Sequence, residues 1–327
     1  MRKKINWLLI LQGWTMLLVV VGHAPLESIE GGGNPLYVKT LFNFAYSFHM
    51  ALFIMISGWL FYLTRLNSNK WNYKHTIQDK LIRLGIPYVV FTIIAMVFKT
   101  IFAGDMSRPS TISVKYFICS LLDPANGPLN EMWFVMVIML CFALMPLWKW
   151  IIKDKRREIV ALVLLVVLHF VPVRIEWLCI DAFCCRVIWF YMGVLLCKYE
   201  VFDKIQGRYG LVILCGAVVY VLSLLANFSF TMALGGIVLS VGVAFVLDKY
   251  VPKIFLLFRD YTYQIFLMGI FVQIFVKMLY KHIHLPYTPI FLLCIIAGLY
   301  VPVVVSKILE KINFGPMLCC IGLKKRK

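Results

Sequence analysis

Long apolar runs alternate with short polar stretches along the whole chain, and that alternation predicts an all-α membrane protein. The runs lie near 7–26, 41–64, 83–103, 131–148, 158–172, 184–199, 209–226, 231–247, 262–280 and 288–309. Each is about the length at which a helix crosses a hydrocarbon core. The stretches between them carry Asn, Gly, Pro and charge, which end or interrupt helices. A polytopic bundle of about ten transmembrane helices follows, with residues 1–327 forming a single membrane domain. The longest connection, between the third and fourth runs, contains "ISVKYFICSLL", residues 112–122. That segment is apolar but too short to span, and so is a candidate interfacial or re-entrant helix. The sequence shows no internal repeat, which argues against a transporter built from inverted halves.

Composition agrees: 62% hydrophobic and 15% charged residues are unsuited to a water-soluble domain. The net charge of +18 would point to nucleic acid in a soluble protein, but here its distribution matters more. With the N-terminus inside, ten spans return the C-terminus inside, and 25 of the 33 lysines and arginines then fall on the inner side. That asymmetry places both termini in the cytoplasm and removes the case for a nucleic-acid partner. A basic inner face suits anionic head groups, so membrane lipids are expected partners. Arg2, Lys3 and Lys4 before the first run imitate a signal peptide. No small-x-small cleavage pattern follows, and polar residues inside the run argue for retention. The ten cysteines have none of the paired spacings of a zinc site, so no metal is expected. They read as small core residues, with a disulfide conceivable among Cys179, Cys184 and Cys185 near the outer surface.

The candidate chemistry lies where polar residues interrupt apolar helices. Gln12 and His23 sit in the first run, where burial without a partner is costly. Their spacing is three helical turns with about 20° left over, so they share one face, about 16 Å apart. His23 falls near the outer surface, either as a functional imidazole or as an interfacial histidine satisfied by a carbonyl or water. His49 lies early in the predicted second span, also toward the outside, where it can meet His23. Ser57 and Gly58 farther along suggest a close helix contact. In "HTIQDKLIRLGIPY", Lys80 and Arg83 would project from one face at the cytoplasmic interface. They read as topological anchors or as a clamp for the phosphates of a nucleotide-bearing donor. Pro87 follows, where a kink is tolerated. On the outer side, Glu131 and Trp133 are candidate glycan contacts, Trp133 reading equally well as an interfacial anchor. Arg186, near the outer end of the sixth run, is a candidate oxyanion or phosphate partner; His169, His282 and His284 read as interfacial.

These segments together resemble the acyltransferase-3 family of bacterial inner-membrane proteins. The first span ends in "LLVVVGH", the second carries "FHMALFIMISGWLF", and "KLIRLGIPY" leads into the third. "GPLNEMWFV" and "RVIWFYMGVLLCK" are weaker echoes in the fourth and sixth. The resemblance covers nearly the whole chain and implies transfer of an acyl group, commonly acetyl, from cytoplasmic acyl-CoA to a hydroxyl of an extracytoplasmic glycan or lipid-linked sugar. On it, His23 matches the family's first-span histidine, thought to act in acyl transfer, and His49 with Met50 the second-span signature. Lys80 and Arg83 match the paired basic motif taken to hold the coenzyme A phosphates, with Lys at a position where Arg is usual. Two positions depart. Gln12 stands where the family has arginine, and Gly269 where a ninth-span histidine is common. Glutamine hydrogen-bonds but cannot neutralise an anion.

The implied mechanism runs through a polar corridor, with phosphates on Lys80 and Arg83 and the pantetheine arm along Gln12. His23 takes the acceptor proton, and His49 orients His23 or binds the oxyanion. Arg186 is one candidate for the missing first-span charge. A separate glycan-assembly or extracytoplasmic transferase partner is compatible with this scheme. The rival from another class is an exporter or flippase component for polysaccharide or lipid-linked sugar, separable because it would work without acyl-CoA.

Overall fold

A computed structural model describes residues 6–26, 34–67, 72–106, 108–250, 253–283 and 285–324. Arg2, Lys3, Lys4, His284, Lys325, Arg326 and Lys327 lie outside these residues. The chain is all-α, with no strand among the described residues. In order, the helices are α1 (Asn6–His23), α2 (Leu36–Phe61), α3 (Tyr73–Lys80), α4 (Ile86–Ile101), α5 (Val114–Leu122), α6 (Trp133–Ala143), α7 (Met145–Ile151) and α8 (Lys155–Phe170). They continue as α9 (Ile180–Lys198), α10 (Val201–Ile205), α11 (Tyr209–Leu225), α12 (Ser229–Asp248), α13 (Lys253–Asp260), α14 (Thr262–His282), α15 (Tyr287–Ile312) and α16 (Gly315–Cys320).

Among the described residues, eight helical stretches are long and apolar enough to cross a membrane, or nine with a bent pair counted as one span. Two of the ten predicted spans therefore need revision. The run at 131–148 is broken by 55° between α6 and α7. Pro146 in the first turn of α7 has no N–H to continue the ladder. The carbonyls exposed at the break find other donors: the Trp148 indole binds Cys141 O at 2.8 Å, and the Tyr73 hydroxyl binds Ala143 O at 3.1 Å. The run at 158–172 forms α8, whose 16 residues reach only about 24 Å against a core of roughly 30 Å. The short apolar segment 112–122 forms the nine-residue α5, as its length requires.

The third span also begins earlier than its apolar run, because α3 joins α4 through a π-helical turn, Leu81–Gly85, giving one continuous stretch Tyr73–Ile101. Pro87 cannot donate to the Arg83 carbonyl, and the widened turn sits immediately before it. All ten cysteines are free thiols, so no disulfide joins Cys179, Cys184 and Cys185.

The chain divides into two compact units, Met1–Phe53 with Glu200–Ile312, and Ile54–Tyr199 with Asn313–Lys327. In the first, α1 packs against α12, α13, α14 and α15. Met16, Val19 and Val20 of α1 form a buried cluster with Phe258, Ile265, Leu299 and Val303. Two indoles fix α1 laterally, Trp7 donating to Asp203 and Trp14 to Ser240, both at 3.2 Å. In the second unit the C-terminal half of α2 meets α9 backbone to backbone. A Cβ at Gly58 would fall 1.9 Å from Phe190 O, and one at Gly193 2.0 Å from Met55 O. Small residues permit this approach where no water is present to drive helices together. The Ser57–Gly58 expectation is met at Gly58. The same unit buries Glu158, held by Lys198 and by the Tyr199 hydroxyl at 2.5 Å.

Candidate active site

Within the first unit, His23 is the last residue of α1, and its half-buried ring is hydrogen-bonded through Nδ1 to the Tyr46 hydroxyl at 3.3 Å. Tyr46 lies on α2, one turn before His49, and its ring lies between the two imidazoles. The centroid distances are 5.7 Å to His23 and 4.9 Å to His49. His49 is buried, and its Nδ1–H donates to Ala45 O at 2.8 Å, which leaves the Nε2 lone pair as the acceptor of the neutral ring. In the tautomer whose Nδ1–H donates to the Tyr46 oxygen, His23 Nε2 carries the lone pair a general base needs. Both histidines contact Tyr46, and His49 is not early in its helix. α2 starts at Leu36, about 20 Å of helix before His49.

The last turn of α1 ends in carbonyls that have no partner within the helix. α14 supplies them. Gln273 Nε2 donates to Val20 O and Lys277 Nζ to His23 O, each at 2.8 Å, while Ala24 N takes Val21 O at 3.2 Å. Gln273 and Lys277 are both buried and four residues apart, so one face of α14 presents both donors. A cation at a helix C-terminus is also favoured by the helix dipole. Lys277 thus places a positive charge at the residue that carries the imidazole. Gln12 lies three turns back along the regular helix, and its side chain hydrogen-bonds to no described residue.

Lys277→Met should lower kcat by about tenfold or more, with the donor KM little changed, and cost roughly 1–3 kcal/mol of stability for the orphaned carbonyl. Lys277→Arg should recover most of both. Full activity in the Met variant would remove Lys277 from the site.

In the second unit, Lys80 and Arg83 do not project as a simple helical pair, because the π turn begins between them. Lys80 lies half-buried with its ammonium 4.0 Å from the Phe142 ring centroid, and Arg83 is exposed. Asp79 binds Arg65 at 3.1 Å and Lys324 at 2.7 Å, so four cations, Arg65, Lys80, Arg83 and Lys324, gather around one carboxylate. Such an excess of donors suits a polyanionic phosphate group. Arg186 stacks on Trp133, its guanidinium 4.4 Å from the ring centroid. Glu131 lies one turn ahead of α6 on the 3₁₀ turn Asn130–Met132. Among the described residues no group of three His, Cys, Asp or Glu is arranged for a metal ion.

The family model of the acyltransferase domain, that of the acyltransferase-3 family, matches residues 5–307, nearly the whole chain. The chain belongs to that family. It is a multi-pass membrane acyltransferase. Searches of the curated proteins and of the solved structures returned no match.

Seen as an acyltransferase, the protein explains one of its two departures. At Gly269, where the resemblance led to an expected histidine, an added Cβ would lie 2.9 Å from the Gly298 carbonyl oxygen. α14 and α15 approach too closely there for an imidazole. The other departure, Gln12, is accompanied by a cation that sequence reading missed, since Lys277 lies among basic residues assigned to the outer side. Arg186 is engaged with Trp133, whereas Lys277 binds the first helix directly. Tyr46 was also missed, although its place three residues before His49 was a usable signal. Arg65 and Lys324 carried no local signal at all.

Proposed function

We propose that this acyltransferase moves an acetyl group from acetyl-CoA to a hydroxyl of an extracytoplasmic glycan or glycolipid, in a bacterial inner membrane. The supporting observation is the His23 imidazole hydrogen-bonded to Tyr46 at the end of a helix capped by Lys277. In the reaction the thioester C–S bond breaks and an ester C–O bond forms. His23 accepts the hydroxyl proton as the oxygen attacks and returns it to the departing thiolate. Tyr46 holds the orientation of the His23 ring, and His49, whose Nδ1–H is spent on Ala45 O, presents a lone pair that suits the acceptor hydroxyl rather than the developing oxyanion. The coenzyme A phosphates fit the cations Lys80 and Arg83, joined by Arg65 and Lys324, while Gln12 has amide chemistry suited to the pantetheine arm. Glu131, Trp133 and Arg186 offer the acceptor a carboxylate and a stacking surface.

The test uses membranes carrying the full chain and acetyl-labelled acetyl-CoA, following base-labile label in glycan and lipid fractions together with release of free thiol. Wild type should release thiol only with acceptor present. Lys80→Gln with Arg83→Gln should raise the acetyl-CoA KM by about tenfold or more with a smaller change in kcat, because charge-assisted contacts to the donor are removed. Label absent from every fraction, with lipid-linked sugar still crossing the membrane, would favour the exporter reading.

A further inference from the structure

The break between α6 and α7 has a consequence in the second unit that the acyl-transfer scheme does not use. A groove of about 500 Å³ runs along it, bounded by Leu144, Leu147 and Trp148 from the break, Val160 and Leu164 from α8, and Phe183 from α9. Its volume falls within the ~300–1,000 Å³ typical of small-molecule sites. Among the described residues, the charged ones lining it are Arg156 and Arg157, both in the first turn of α8, so one end is cationic and the remainder apolar. Several lining residues are themselves open to the surroundings, Trp150, Val160 and Leu164 each being more than half exposed, so the groove opens sideways along α8. Ile159, Val163 and Val167 continue that exposed apolar surface. In a membrane protein that side faces hydrocarbon.

No carboxylate among the described residues neutralises the charge at the groove's end. Two carboxylates flank the arginines. Asp154 caps α8 by accepting from Arg156 N at 2.7 Å, and Glu158 is buried against Lys198 and Tyr199. Neither Arg156 nor Arg157 has an ion-pair partner among the described residues. Arg157 stacks over the Trp150 ring, 4.2 Å from its centroid, and reaches the Trp150 carbonyl at 3.4 Å, which holds the guanidinium at the groove mouth. Three consecutive cations, Lys155, Arg156 and Arg157, at a helix N-terminus also oppose the helix dipole, an arrangement that a bound anion relieves.

An apolar slot open to hydrocarbon, ending in unpaired arginines beside an exposed tryptophan, matches one ligand chemistry. We propose that the groove binds an anionic glycerophospholipid, one acyl chain lying along α8 and the phosphate held by Arg156 and Arg157. The site is independent of the acyl-transfer chemistry proposed above.

The experiment takes full-length protein purified in mild detergent and titrates phosphatidylglycerol or phosphatidylcholine, reading bound lipid by native mass spectrometry. Wild type should retain one phosphatidylglycerol, about tenfold or more tighter than phosphatidylcholine. Arg156→Gln with Arg157→Gln should abolish that preference while leaving weak binding of both lipids. Ala161→Phe, which fills the groove, should weaken both. Lys307→Gln with Lys311→Gln removes the same charge elsewhere and should leave the preference intact. Equal binding of the two lipids by wild type would overturn the proposal without reference to any variant. So would a preference that survives the double arginine change, or one lost equally in the lysine control, which would make it a general effect of surface charge.

Discussion

His23→Ala is expected to lower acyl transfer by about 10²–10⁴-fold, the range for loss of a positioned general base, while the protein remains folded. The structural reason for separating the two effects is specific. The contact that secures the end of α1 uses the His23 backbone carbonyl, which alanine retains, so Lys277 still caps the helix. What disappears is the imidazole and its hydrogen bond to Tyr46. Thermal unfolding in detergent should therefore change little as thiol release from acetyl-CoA falls to background. Wild-type turnover in this variant would place the base elsewhere and sink the proposed mechanism. Tyr46→Phe provides the companion measurement within the same series, since it keeps the ring between the two imidazoles and removes only the hydroxyl. A modest fall in kcat is expected from it, far smaller than that of His23→Ala.

The second large effect is structural. Alanine at Gly58 or Gly193 should destabilise the second unit by about 1–3 kcal/mol each, the usual range for overpacking. The added methyl meets main-chain carbonyls, Phe190 O at 1.9 Å and Met55 O at 2.0 Å, neither of which can rotate away as a side chain would. α2 and α9 would have to separate, and in a membrane close packing is much of what joins them. Gly210→Ala is the control. Nothing lies within 4 Å of a Cβ there, and in a helix alanine is favoured over glycine by about 1 kcal/mol, so its melting temperature should hold or rise. If all three variants melted alike, the close approach of α2 and α9 would not carry the stability assigned to it.

Local pattern accounts for what could be read in advance. Hydropathy over windows of about 20 residues located the helices, because each span must bury its own backbone and present apolar side chains along its whole length. The asymmetry of lysine and arginine follows from the same insertion physics and gave the orientation expected of the termini. His23 was visible because a polar residue in an apolar helix is costly and therefore conspicuous, and Lys80 because it is spaced with Arg83 at the end of a predicted span. The resemblance was carried by short segments of this kind, and the family model matches residues 5–307.

Boundaries and partners were decided elsewhere. The break at Leu144 depends on Pro146, but that it is tolerated depends on Trp148 and Tyr73 reaching the freed carbonyls. The π turn before Pro87 shifted Lys80 and Arg83 out of the register that an ideal helix implies. Lys277 lies 254 residues from the carbonyl it binds, and Lys324 lies 245 from Asp79. No periodicity or composition window links positions so far apart, since which face of one helix meets which end of another is fixed only by the packing of whole helices. The sequence by itself determined an all-α, multi-pass chain with a histidine at the end of its first span. Only the tertiary structure chose Lys277 as the cation at that histidine, Tyr46 as its neighbour, and the Gly298 carbonyl as what a side chain at residue 269 would meet, because each follows from distances between helices rather than from preferences within one.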